Sequence, residues 1–314
     1  MSKKVAFIFP GQGSQTIGMG RDFYENSTIA KGMFEEASST LNIDMTKMLF
    51  EQNDDLNETE CSQPAILLVS LVALNVFNNA LKVKPAFTLG HSLGEFSALY
   101  AANAISFENA IKLVRKRGLL MKEACRELGA GMMVILGLND SDVEEICYEA
   151  RDKGKKIWAA NYNCDGQIVV AGIKKDLEEC AEIFKNKGAK RALLLQMSVA
   201  SHCPLLQSAK TPLKEEMDRV INDSFATNII SNVNAKSYST KQEALYLLES
   251  QLVKPVLYKQ SILQNPADIY IEFGANVLKG LNKKNSSSPT LSITDTNSLN
   301  EAISFLENEL KGDL

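Results

Sequence analysis

AFTLGHSLGEFSALYAA, residues 86–102, decides how this chain folds. Ala86 to Leu89 is a short apolar run, as expected of a buried strand, and the pattern after Ser92 is helical. Gly90 and Gly94 flank Ser92 between them, so a G-x-S-x-G sequence stands at a strand-to-helix turn, the context that makes the motif informative. The glycines permit a tight turn that pushes Ser92 Oγ out of the sheet. The backbone N–H of Leu93, at the start of the helix, is then free to face a developing oxyanion. A serine that merely caps a helix is the alternative; both glycines and the preceding strand favour a nucleophile.

Outward from this turn, short strands alternate with helices. Val5–Phe9 reads as a strand closed by Pro10 and Gly11, and residues 21–82 as mostly helical with polar breaks around Asn53–Glu58. A helix follows over about Ser106–Glu127. Residues 131–197 have a pattern of their own: a strand at Met132–Leu136, a helix opened by a Ser141/Glu144 capping box, and strands at Ile157–Asn161 and Gln167–Ala171 joined by Asp165-Gly166. A helix with Leu177, Cys180, Ala181 and Phe184 on one face then ends at Gly188, before a strand at Ala192–Gln196. This βαββαβ order is ferredoxin-like. Beyond it come a helix at Pro204–Asn222, a strand at Asn228–Asn232, a helix at Thr240–Leu252, a strand at Ile269–Phe273, a loop at 282–289 and an amphipathic tail helix. The fold class is therefore α/β, a mostly parallel sheet flanked by helices, with an inserted ferredoxin-like subdomain. Residues 1–128 and 199–314 form the body and 129–198 the insert.

Composition narrows the function classes. The chain has 314 residues, 45% of them hydrophobic, and a net charge of −4, so it buries a sizeable core and lacks the basic field of a nucleic-acid binder. Its most apolar stretch, Ala65–Val76, is interrupted by Ser70 and followed by Asn78 and Asn79, which favours a buried helix over a membrane span. Lys3 and Lys4 lead directly into a strand, without a signal-like apolar region. Six singly spaced cysteines and two histidines fit reduced thiols and no metal site. The expectation is a cytoplasmic globular protein.

A serine nucleophile needs a base within hydrogen-bond reach. His91 adjoins Ser92 on a tight turn, where neighbouring side chains diverge, which leaves His202 by elimination. Gly11-Gln12-Gly13 follows the first strand, but Thr16 stands where a dinucleotide fingerprint needs glycine, and the P-loop lysine is missing. Such a turn can instead offer the N–H of Gln12 as a second oxyanion donor. Arg117 lies among Leu113, Val114, Leu120 and Met121. Either it is a buried guanidinium suited to a carboxylate, or it snorkels to the surface like Arg115 and Lys116.

At these residues the chain resembles the malonyl-CoA:acyl carrier protein transacylases of type II fatty-acid synthesis. The likeness runs through FPGQGSQ, SQPAIL (62–67), GHSLGEFSAL (90–99), RGLLM (117–121), SHCPLL (201–206), QLVKPV (251–256) and EFGANVLKGL (272–281). It implies a hydrolase-like body, Ser92 as the acylated nucleophile and His202 as its base, oriented by the main-chain carbonyl of Gln251. It further implies an oxyanion hole from the N–H groups of Gln12 and Leu93, Arg117 as the holder of the malonyl carboxylate, and Gln63, Asn161 and Gln167 near the site. Malonyl-CoA and acyl carrier protein are the implied partners, with no resident cofactor. Two loops depart: Phe273-Gly274-Ala275-Asn276 stands where the family reads FGPG, and Ala200 where a proline often precedes Ser201-His202. A discrete acyltransferase or an acyl hydrolase serving a polyketide synthase is the alternative; hydrolases of this kind typically lack the arginine. A non-enzymatic docking scaffold would not need the Ser92/His202 pair. Lys185, Lys187, Lys190, Arg191, Lys279, Lys283 and Lys284 are either a docking surface for an acidic carrier protein or simply solvated charges.

Overall fold

The computed structural model describes residues 3–311. Among these residues the strands are β1 (Val5–Phe9), β2 (Phe87–Gly90), β3 (Ala130–Leu136), β4 (Ile157–Cys164), β5 (Gln167–Ile173) and β6 (Arg191–Leu194), then β7 (Ser224–Ile230), β8 (Ser237–Thr240), β9 (Ile269–Phe273) and β10 (Thr290–Ile293). One sheet has the order β10-β9-β1-β2-β7-β8 and is parallel except for β8, which runs antiparallel to β7 at the edge. The other has the order β4-β5-β3-β6, antiparallel throughout. This is the strand order of a ferredoxin-like unit, so the expected fold class stands.

β1, β2 and β9 are buried along their whole length because helices cover both faces of the parallel sheet. Phe7 meets Phe273 and Phe77 edge-on at ring-centroid distances of 5.0 and 5.9 Å, which ties β1 and β9 to the helix Thr59–Ala80. That helix is long and apolar enough to cross a membrane, yet 83% of its most apolar window is buried in the fold. The antiparallel sheet packs its own core of Ile135, Val143, Ile146, Val170, Leu177 and Phe184 under its two helices. An isolated parallel bridge helps join it to the rest of the fold, where Tyr162 N–H donates to Val256 C=O at 2.9 Å and Val256 N–H to Ala160 C=O at 2.8 Å.

Several local expectations are corrected. The helix Asp140–Asp152 is capped by Asn139, whose side chain accepts from Asp142 N–H at 2.8 Å; Ser141 instead donates to Asn139, and the Ser141/Glu144 box does not form. Residues 204–222 are not one helix but a 3₁₀ turn, Pro204–Ala209, followed by an α-helix, Lys210–Val220. Pro212, the third residue of that α-helix, has no N–H to bond back into the preceding 3₁₀ turn, which suits a first-turn position. The run at 282–289 is helical in its first half, within Leu278–Asn285. The carboxylate of Glu272 on β9 caps that helix, accepting from the N–H groups of Val277, Leu278 and Lys279.

Parallel strands present their C-terminal ends to one crevice, where α/β sheets place their ligands. Gly11 and Gln12 follow β1, Ser92 follows β2, Asn232 follows β7, and Val277 and Leu278 follow β9.

Candidate active site

The turn after β2 is as tight as the glycines suggest. A Cβ on Gly90 would stand 1.8 Å from the Gly94 carbonyl carbon, and one on Gly94 would stand 2.1 Å from the Phe9 carbonyl oxygen. Between them Ser92 adopts φ +54°, a left-handed conformation for a non-glycine residue. Asn232 holds it there: its side chain accepts from Ser92 N–H at 2.7 Å and donates to Gly90 C=O at 2.6 Å. Sequence reasoning did not find Asn232; an asparagine just past a strand carries no signal of a partner 140 residues away.

Ser92 Oγ lies 2.7 Å from His202 Nε2, and His202 Nδ1 lies 2.7 Å from the Gln251 main-chain carbonyl. A carbonyl only accepts, so Nδ1 carries the proton and Nε2 is left to accept from the serine. Burial, reinforced by the charge on Arg117, lowers the His202 pKa to about 3 against the pull of the Gln251 carbonyl, which keeps the ring neutral. His91 diverges as expected. Its Nε2 lies 2.8 Å from Asn163 Oδ1, and Asn163 C=O in turn accepts from Asn285.

Arg117 is among the largest fully buried side chains of the described residues, 1% exposed, so the snorkelling alternative falls away. It sits on the helix Phe107–Ala124 with its guanidinium over the ring of Phe96. Nη1 donates to Gln63 Oε1 at 2.8 Å, while Nη2 donates to Gln251 Oε1 at 3.0 Å and to Ser92 Oγ at 3.3 Å. All three acceptors are neutral, and Nε has no acceptor among the described residues. Burial lowers its pKa to about 10, with Glu95 opposing, so it remains a cation at neutrality. Glu95, which sequence reasoning also missed, is buried beneath the same turn. The only hint of it is one acid in an otherwise small and apolar helix.

A cavity of about 240 Å³ opens onto this group, lined by Gln12, His91, Ser92, Asn161, Gln167 and His202 together with Met132, Val134, Met197 and Leu278. It lies between the parallel sheet's C-terminal ends and one face of the insert. Asn161 Oδ1 is buried without a partner among the described residues. The Gln12 and Leu93 N–H groups likewise make no hydrogen bond among the described residues, while the Gln12 side chain donates to Thr59. Gln63, Arg117 and Gln251 do not line the cavity; Arg117 meets its wall at Ser92 Oγ. A hydroxyl activated by a neutral imidazole, two unengaged N–H groups and a cation short of an anion suit acyl transfer from an acid-bearing group.

The acyl transferase domain family matches residues 6–276 of this chain. A malonyl CoA-acyl carrier protein transacylase of Bacillus subtilis is 39% identical over 312 residues, covering 98% of this chain and 98% of that protein. Among solved structures, a malonyl-CoA:acyl carrier protein transacylase from Helicobacter pylori superposes with TM-score 0.94 at 45% identity, over 98% of this chain and 99% of that one. A malonyl-transacylase in complex with its type II PKS acyl-carrier protein superposes with TM-score 0.92 at 34% identity, covering 96% and 99%. The chain belongs to the acyl transferase domain family and, within it, to the malonyl-CoA:acyl carrier protein transacylases.

Proposed function

We propose that this protein moves a malonyl group from coenzyme A to the phosphopantetheine thiol of an acyl carrier protein, through an ester on Ser92, to supply fatty-acid elongation. The observation that carries the reading is the placement of Ser92 Oγ, 2.7 Å from His202 Nε2 and 3.3 Å from Arg117 Nη2. His202 takes the serine proton as Oγ attacks the thioester carbonyl, and the N–H groups of Gln12 and Leu93 receive the oxyanion. Collapse expels the coenzyme A thiolate, which recovers the proton from His202. The carrier thiol then repeats the steps in reverse order. Gln251 holds His202 through its carbonyl, and Arg117, steadied by Gln63, takes the malonyl carboxylate. Asn161 and Gln167 face the thioester arm from the insert. The reading invokes no metal and no resident cofactor, places the protein in the cytoplasm, and treats 129–198 as a subdomain set into a body of 1–128 and 199–314.

Two thioesters are nearly equal in energy, so the site's task is to keep water from the oxyester rather than to drive the transfer. A discrete transferase serving a polyketide synthase is the second reading, favoured by the likeness to a transacylase solved with such a carrier. The test is intact-mass measurement after addition of malonyl-CoA, then of carrier protein. The expected result is an 86 Da adduct (about one malonyl replacing a hydrogen) that forms on the protein and leaves with the carrier. Acylation of Ser92→Ala by malonyl-CoA, or an adduct that only hydrolyses, would refute it.

A further inference from the structure

Glu95 is the second residue of the helix Gly94–Ala101 and is wholly buried. Its helix packs on β1, β2 and β7 and on the helices Thr59–Ala80 and Phe107–Ala124. Those three strands carry no charged side chain. The acid of the first helix, Glu60, is engaged by Lys122, and the buried cation of the second is Arg117. A carboxylate so enclosed is ordinarily met by a cation. Glu95 is met by neutral donors instead: Tyr238 O–H at 2.9 Å on Oε1, with Gln251 Nε2 at 2.7 Å and Asn232 N–H at 3.2 Å on Oε2. Arg117 feels its charge from beyond the Gln251 amide, which donates to Glu95 from Nε2 and accepts from Arg117 Nη2 on Oε1. The amide cannot turn over, because Nε2 also donates to Ser92 C=O at 3.0 Å.

We propose that Glu95 is a positioning and specificity-determining residue: through the Gln251 amide it forms a spaced ion pair with Arg117, steadying the guanidinium and offsetting part of its charge while leaving it able to take a substrate carboxylate. The inference rests on the reading that Arg117 receives the malonyl carboxylate. A carboxylate bonded directly to Arg117 would occupy the donors the substrate needs. With an amide between them, the cation is oriented and its own acid stays out of the way. Burial pushes the Glu95 carboxyl up to about 7, against its hydrogen bonds from Gln251, Tyr238 and Asn232 and the charge of Arg117. The offset therefore operates above neutrality and fades as Glu95 takes up a proton below it.

Glu95→Gln keeps the shape and the bonding: the amide oxygen accepts from Gln251 and Asn232, and the Tyr238 hydroxyl rotates to accept from the new NH₂. A purely structural Glu95 would leave kinetics unchanged in this variant. The measurement is kcat and KM of the acylation half-reaction for malonyl-CoA and acetyl-CoA, between about pH 6 and pH 8.5. At the alkaline end Glu95→Gln is expected to lower KM for malonyl-CoA about three- to tenfold and leave acetyl-CoA alone. The wild-type KM for malonyl-CoA should fall toward the variant's value as the pH drops through about 7, while the variant stays flat. Equal KM values in the two proteins, or the two substrates moving together, would overturn the proposal. Should the variant not fold, the wild-type profile decides alone: a fall confined to malonyl-CoA supports it, and a profile shared with acetyl-CoA overturns it. A wild type that malonyl-CoA does not acylate would sink the functional reading itself; normal acylation with unchanged discrimination would sink only the role of Glu95.

Discussion

Arg117 Nη2 donates to Ser92 Oγ at 3.3 Å, so the buried cation and the hydroxyl are joined by one hydrogen bond, within reach of the two ends of a short diacid. Under the proposed reading, a malonyl group bound to that oxygen would set its free carboxylate beside the guanidinium.

Arg117→Ala should therefore change substrate preference rather than activity at large. Breaking a buried charge pair by removing one partner costs about 3–5 kcal/mol. At about 1.4 kcal/mol per tenfold, kcat/KM for malonyl-CoA falls by two to three orders of magnitude or more. Acetyl-CoA has no carboxylate to lose, and its transfer should hold or improve. The measurement is the malonyl-to-acetyl ratio at fixed carrier protein, with a thermal midpoint as the folding control. A ratio that stays put in a folded variant would make Arg117 structural.

The pH dependence of the acylation step at saturating substrate should lack a limb near the ordinary histidine value. Burial is the largest cause of the fall of the His202 pKa to about 3, so the ring stays a neutral base through the weakly acidic range. In stability the sign runs the same way. The unfolded chain takes up a proton near pH 6.5 that the folded state refuses, so the contribution of His202 is whole above that value and is lost as the pH falls toward 3. Single-turnover acylation at saturating malonyl-CoA should be level down to about pH 5. An inflection near 6.5, abolished by His202→Ala, would contradict this placement.

Gly90→Ala should fail as a fold before it fails as a catalyst. The added methyl would stand 1.8 Å from backbone carbon, so the strand-to-helix turn must open. Inserting an extra methyl into a well-packed core typically costs about 1–3 kcal/mol, and a clash with the Gly94–Glu95 peptide itself exceeds that. The expected outcome is insoluble protein or a thermal midpoint lowered by many degrees. A midpoint within a degree of wild type would show that the turn has slack.

Of the seven basic residues offered as a docking surface, Lys185 pairs with Glu182 and Lys187 with Glu145, and Lys284 donates to the Asp165 carbonyl. Lys190, Arg191 and Lys283 are exposed and carry no ion pair among the described residues. An acidic carrier protein should thus be more sensitive to Lys190→Glu or Arg191→Glu than to Lys187→Glu. Screening shortens charge interactions to roughly 8 Å at physiological salt, so KM for carrier protein should rise with salt. A KM indifferent to salt and to all three reversals would dismiss an electrostatic docking surface.

How much of this was legible depends on how far each signal reaches. The turn at Ser92 could be read because strand, glycines and helix are contiguous, and the insert because its helical and strand periods alternate within 131–197. Elements whose reasons lie elsewhere could not. β8 and β10 are short edge strands defined by their neighbours, Tyr258–Gln264 is a two-turn helix without a marked period, and Leu278–Asn285 is capped from β9 by Glu272. The site divides in the same way. His202 emerged by elimination between two histidines, and Gln251 from the family likeness. Glu95, Asn232 and Tyr238 form a web whose members lie more than a hundred residues from one another along the chain, apart from the last two.

Ser92 and His202 are both non-glycine residues in left-handed backbone, at φ +54° and +62°. Such conformations cost about 1–3 kcal/mol each and persist only where the surroundings enforce them. The two side chains that meet over the cavity thus both sit on peptide units the molecule would sooner relax, so durability and turnover pull in opposite directions here. A selection for heat resistance alone would be expected to admit glycine at either position, with Ser92→Gly melting higher than wild type while transferring nothing.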